Sequence, residues 1–125
     1  MFINKNLNIS NLLNASESTL SKTLGRVVSR DKLPGKYFSN FSKEGYTFSV
    51  RMSRGRASSI TVEHPNGKSV SEITKDLGFN LSQAKLILRN RFNSEYELKQ
   101  NIIRLISWDG NKINSLQYHS KSHRM

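Results

Sequence analysis

Serine and asparagine supply 32 of the 125 residues, nineteen and thirteen respectively, and their crowding predicts a chain of short elements. Their side chains bond nearby backbone N–H groups, so they favour helix starts and turns over helix interiors. Boundaries read this way are closely spaced. Asn8 is expected to cap a short helix reaching about Leu13, with Asn14-Ala15 as a turn. Ser16 caps a longer helix on which Leu20, Leu24, Val27 and Val28 form one apolar stripe, ending near Ser29 to Lys32 ahead of Pro34-Gly35.

From Tyr46 the period changes to two. Tyr46, Phe48, Val50 and Met52 alternate with polar residues, the pattern of a half-buried strand, and Ser53-Arg54-Gly55-Arg56 is a turn into a second strand carrying Ile60 and Val62. Asn66-Gly67 reads as a tight turn before a third short strand from Lys68 to Val70. Further on, Ser69 to Glu72 has the form of a capping box, and Gly78 supplies the left-handed residue that ends a helix. Asn80 or Ser82 then opens another helix to about Phe92, and Ser94 to Glu97 a last one with Leu98, Ile102, Leu105 and Ile106 as its stripe. The apolar period fades after Asn111, predicting a loosely ordered tail.

Ile, Leu, Val and Phe make up 33 residues, enough for a folded chain with a modest core. The absence of cysteine excludes a disulfide framework, a thiolate metal site and a cysteine nucleophile. No apolar run reaches transmembrane length, and Met1 to Lys5 lacks the layout of a secretory signal, so a soluble cytoplasmic protein is expected. His119 and His123 have the spacing of two ligands on one helix turn, but their polar surroundings at the chain end favour a frayed tail, and no metal or cofactor is expected.

Twenty Lys and Arg against nine Asp and Glu give a net charge of +11, spread as +4 over residues 1–40, +3 over 41–70, +2 over 71–107 and +2 over the tail. Such a spread predicts a long basic surface, whose commonest partner is a nucleic-acid backbone.

The stretch from Val70 to Leu88 resembles a DNA-binding helix-turn-helix. Ile73 and Leu77 are the buried positions of its first helix, Thr74 is small at the crossing, Gly78 makes the turn, Phe79 plugs it, and Ala84 and Ile87 point inward from the second helix. A second copy is read from Ile9 to Leu24, with Ile9, Ser10, Leu13, Asn14, Ala15, Leu20 and Thr23 standing for Ile73, Thr74, Leu77, Gly78, Phe79, Ala84 and Ile87. The layout from Glu72 through Arg91-Phe92 and on to Ile102 is similar to recognition modules of phage and mobile-element regulators.

The expected fold is therefore α+β, mainly helical, with two helix-turn-helix units flanking a small antiparallel sheet. Its segments are an N-terminal unit over 1–33, a basic hairpin region over 34–70, a C-terminal helix-turn-helix with a packing helix over 71–108, and a flexible tail over 109–125. The resemblance implies a non-enzymatic transcriptional regulator or architectural factor bound to double-stranded DNA, nucleoid-associated, as a homodimer or as a tandem monomer. Base-reading candidates are Asn80, Ser82, Gln83 and Lys85 in one copy and Ser18, Ser21 and Lys22 in the other. Phosphate candidates are Arg26, Arg30, Arg51, Arg54, Arg56, Arg89 and Arg91. RNA binding, or a basic effector or inhibitor module docked on an acidic protein, are the alternatives. Asp109-Gly110-Asn111-Lys112 is similar to a stretch of HNH nucleases, but the paired histidines that chemistry needs are missing, so a tight turn is expected there.

Overall fold

The computed structural model describes residues 7–123, without the side chain of His123; the stretch 1–5 weighed above as a leader lies outside them. The elements in order are α1 (Glu17–Leu24), β1 (Ser29–Leu33), β2 (Lys36–Lys43), β3 (Tyr46–Ser53), β4 (Arg56–Lys68), α2 (Val70–Leu77), β5 (Lys85–Arg89), β6 (Asn93–Leu98), β7 (Asn101–Ile106) and β8 (Ile113–Ser120), with single 3₁₀ turns at Leu81–Gln83 and Lys121–His123. All eight strands join one antiparallel sheet in the order β1-β2-β3-β4-β8-β7-β6-β5. The fold is mainly β, which overturns the expectation of a mainly helical chain. The sheet draws strands from each of the four segments drawn on the sequence, and residues 109–125 contribute β8, paired with both β4 and β7.

That strand order is palindromic. Each half is a helix closed by Leu-Gly and followed by a four-stranded meander, and the last strands of the two meanders, β4 and β8, zip together. The duplication is visible in side chains. Ser16, Ser18, Leu20, Lys22, Leu24 and Gly25 recur at the same spacing as Ser69, Ser71, Ile73, Lys75, Leu77 and Gly78. Phe41 opposite Phe48 in the first half stands where Tyr96 opposite Ile103 stands in the second. The internal repeat thus pairs Ser16 with Ser69, not Ile9 with Ile73 as the helix-turn-helix reading requires.

The strands alternate as period two demands. Phe48, Val50, Ile60, Val62, Leu116, Tyr118, Ile103 and Leu105 share one face and are buried. Leu20 and Leu24 of α1, Ile73 and Leu77 of α2, and Leu7, Ile9 and Leu12 of the N-terminal segment complete the same cluster. Two polar ties fix this layer. The Tyr118 hydroxyl donates to the Ser10 carbonyl at 2.8 Å and accepts from Asn101 Nδ2 at 2.8 Å. The Tyr46 hydroxyl donates to Asp76 at 2.7 Å, where the Lys68 ammonium also arrives at 3.0 Å; burial pushes that phenol's pKa up.

The helices expected after Gly78 are not formed, for local reasons. Asn80 accepts from the Ser82 amide at 3.1 Å and holds a single 3₁₀ turn, after which Ala84 is extended. Asn90 accepts from the amides of Phe92 and Asn93 and closes the β5–β6 hairpin, so the apolar run between the two asparagines is five residues of strand. Lys99 at φ 58° turns β6 into β7. Leu98, Ile102, Leu105 and Ile106 therefore split between the two faces of a sheet and never form a helical stripe. In the N-terminal half α1 stops at Gly25, and Asn66-Gly67 lies within β4 at a shift of register.

At φ +86° Gly78 occupies the left-handed region, and a Cβ there would fall inside van der Waals contact of the Asn8 side chain. Gly78→Ala is expected to lower unfolding free energy by about 1–3 kcal/mol, read from urea midpoints.

Three carboxylates sit below their usual pKa range: Glu17 chiefly through Arg30 and then the Ser39 hydroxyl, Glu72 through the Ser69 amide, and Asp109 through the amides of Asn111 and Lys112. A depressed folded pKa gives stability that is present above the unfolded value and lost as pH falls through the folded one. The urea midpoint should therefore drop between about pH 7 and about pH 3, and Glu17→Gln should shrink that drop. An unchanged acid dependence in the variant would remove Glu17 from this account.

Candidate functional site

The face of the sheet turned away from the helices is polar, and the register lays its side chains in rows. One row crosses five strands as Ser49, Thr61, Gln117, Arg104 and Glu95; the next runs Arg51, Ser59, His119 and Ile102. All of these but Ser49 and Ile102 line a cleft of about 350 Å³, joined by Ser53, Ser58, Ile60 and Tyr118. Glu95 sits deep in it, 5% exposed. A shallower hollow beside Asn40, Thr47 and Glu63 adjoins it at Thr61.

The cleft has a defined polarity. Arg104 lies 3.6 Å from the buried Glu95 carboxylate, which orients the guanidinium from below. His119 Nδ1 lies 2.9 Å from the Ser120 carbonyl, which can only accept, so Nδ1 is the donor in that contact. Ser58 donates to the Arg51 carbonyl at 3.1 Å. Among the described residues, Ser59, Thr61 and Gln117 make no side-chain hydrogen bond within the chain. Two arginines against one carboxylate leave the lining with an excess of positive charge.

Of the residues read on the sequence as DNA contacts, Arg51 alone lines this cleft; His119, weighed there as a metal ligand, lines it too. Ser18, Ser21 and Lys22 lie on α1, Arg26 follows it, and Arg30 in β1 is bonded to Glu17. Arg54 is at the β3–β4 turn, and Arg56 donates to the Asn14 carbonyl at 3.1 Å. Asn80, Ser82 and Gln83 form the 3₁₀ turn, Lys85 and Arg89 are in β5, with Arg89 reaching the Tyr96 hydroxyl at 3.2 Å, and Arg91 sits over the Phe92 ring. The structure thus distributes the cations over the first edge of the sheet, the last edge and one hairpin tip. Among the described residues no pair of helices meets in a helix-turn-helix: α2 is followed by a 3₁₀ turn and an edge strand, and α1 is preceded by turns rather than by a helix. The readings as a helix-turn-helix DNA binder and a phage-type transcriptional regulator are withdrawn on that ground.

Sequence reasoning missed Ser59, Thr61, Glu95, Arg104 and Gln117, and weighed His119 only as a metal ligand in a frayed tail. The alternation of Leu116 and Tyr118 with Gln117 and His119 was the available signal, obscured by treating the segment as a tail. Among the described residues there is no group of three or more His, Asp or Glu able to hold a metal, and no helix long and apolar enough to cross a membrane.

No protein-family model matches the sequence, and no curated protein resembles it significantly. Solved structures do share the fold. One is a cysteine-rich secretory protein from Staphylococcus aureus, at TM-score 0.64 and 12% identity over 92% of this chain and 45% of that one. Another is an extracellular protein containing a SCP domain from Bacillus anthracis, at TM-score 0.60 and 8% identity over 96% of this chain and 48% of that one. The chain spans about half the length of the structures it matches, and at these identities the likeness is one of fold.

Proposed function

We propose that this chain is a non-catalytic binding module that holds a singly anionic, hydroxyl-rich ligand, of the class of acidic sugars, on the polar face of its sheet. The observation that carries this reading is the cleft across the β4–β8 junction, with Ser59, Thr61 and Gln117 uncommitted beside Arg51 and Arg104. Its volume is within the range of small-ligand sites. Hydroxyl and amide groups match a polyol, and the excess positive charge matches one carboxylate or phosphate.

Binding is favoured over catalysis because Glu95 is the only carboxylate among the described lining residues and is tied to Arg104. A glycosidase needs two carboxyl groups facing the bond it cleaves. The sequence pointed to the cytoplasm. Both solved neighbours are described as secretory or extracellular, and the reading preferred here is a module that works outside the cell.

The test is a titration of isotopically labelled protein with galacturonate, and with galactose as the neutral control. Galacturonate should move the amide signals of Ser59, Thr61, Gln117 and His119, with a Kd on the order of 1 mM. Gln117→Ala should weaken that response several-fold, while Arg54→Ala, outside the cleft, should leave it unchanged. Equal shifts with galactose, shifts centred away from the cleft, or none at about 50 mM ligand would overturn the proposal.

A further inference from the structure

The duplication supplies its own control for the two edges of the sheet. In the first half the edge strand β1 reads Ser29-Arg30-Asp31-Lys32-Leu33, with mixed charge along it, the usual protection of an exposed edge. The matching edge strand of the second half, β5, reads Lys85-Leu86-Ile87-Leu88-Arg89. Its three central side chains are each more than 40% exposed. The apolar patch continues off the end of the strand. The Phe92 carbonyl accepts from the Ser107 amide at 2.8 Å, which holds together the two segments that carry the exposed Phe92 and the exposed Trp108. Cations frame the patch: Lys85 and Arg89 at the ends of β5, and Arg91 at the turn.

We propose that β5 is a strand-addition edge that takes an extended peptide, apolar at its centre and acidic at its flanks. The β5–β6 ladder shifts register between Leu86, opposite Tyr96, and Leu88, opposite Glu95, so these two leucines stand on opposite faces of the sheet. Main-chain bonds to the open edge would give affinity, Leu86 and Leu88 would each select an apolar side chain on its own face, and Lys85, Arg89 and Arg91 would select the acidic flanks. The same charges argue against a second copy as occupant. Antiparallel self-pairing centred on Ile87 sets Lys85 opposite Arg89 of the other copy, and parallel self-pairing in register sets Lys85 opposite Lys85. Like charges directly opposed destabilise a strand pair. This edge lies outside the cleft, so the two proposals stand or fall separately.

The experiment uses a labelled peptide of alternating valine and threonine with two glutamates at each end, and the same core flanked by lysines. Fluorescence anisotropy should show saturable binding of the first, about tenfold weaker for the second, and weaker again as salt is raised. The single tryptophan, Trp108, should change its emission on binding. The double variant Leu86→Lys with Leu88→Lys should lose about tenfold in affinity while keeping the galacturonate or urea response of the parent. As a check independent of that variant, the glutamate peptide should shift β5 amide signals in the unaltered protein and leave β1 unchanged. Absence of binding, equal affinity for both peptides, shifts confined to other elements, or a β5-mediated dimer that excludes the peptide would each overturn the proposal.

Discussion

The β4–β8 ladder is the interaction on which the rest of the molecule depends. It pairs Ser59 to Glu63 with His119 to Ser115 and, among the described residues, is the only ladder joining the two meanders. Its apolar positions, Ile60, Val62, Leu116 and Tyr118, are buried under the helices, while Thr61 and Gln117 meet on the opposite face. Because a strand's side chains alternate strictly, a slip of one residue along this ladder would turn the core outward and dismantle the cleft together. Stability and the candidate site are therefore set by the same register.

A palindromic sheet has two equivalent edges and one centre, and the chain treats them differently. The centre carries the cleft, where residues of both halves meet. The first edge is charged, with Arg30 drawn onto Glu17 of α1. The last is apolar and framed by cations. The net charge of +11 thus resolves into separate small clusters, and no continuous helical face collects it.

How far the sequence disclosed this depended on whether local signals had a rival. The Ser69 and Glu72 capping box, the Ser16 cap, the Gly78 terminus and the alternation of β3 each point one way, and each stands in the structure. Leu86-Ile87-Leu88 and the stretch from Leu98 to Ile106 satisfy helical and strand periods alike. What settles them is pairing with β6, β7 and β8, which are distant or unrecognised in a local reading. The cleft was illegible for a related reason. Arg104, Gln117 and His119 become neighbours only through register, and an incorrect helix assignment removed the register. The repeat was sensed but misaligned, because the abundant cap residues allow several superpositions and only Leu24-Gly25 against Leu77-Gly78 extends into the strands.

Native-state amide hydrogen exchange addresses the central claim most directly, namely that two duplicated halves are fused through β4 and β8 into one cooperative sheet. The account predicts that the amides paired along the ladder around Ile60, Val62, Leu116 and Tyr118 exchange only at the free energy of global unfolding, with β2–β3 and β6–β7 opening in the same event. Two halves that open at different free energies, with the β4–β8 amides exchanging ahead of the strand pairs on either side, would contradict it.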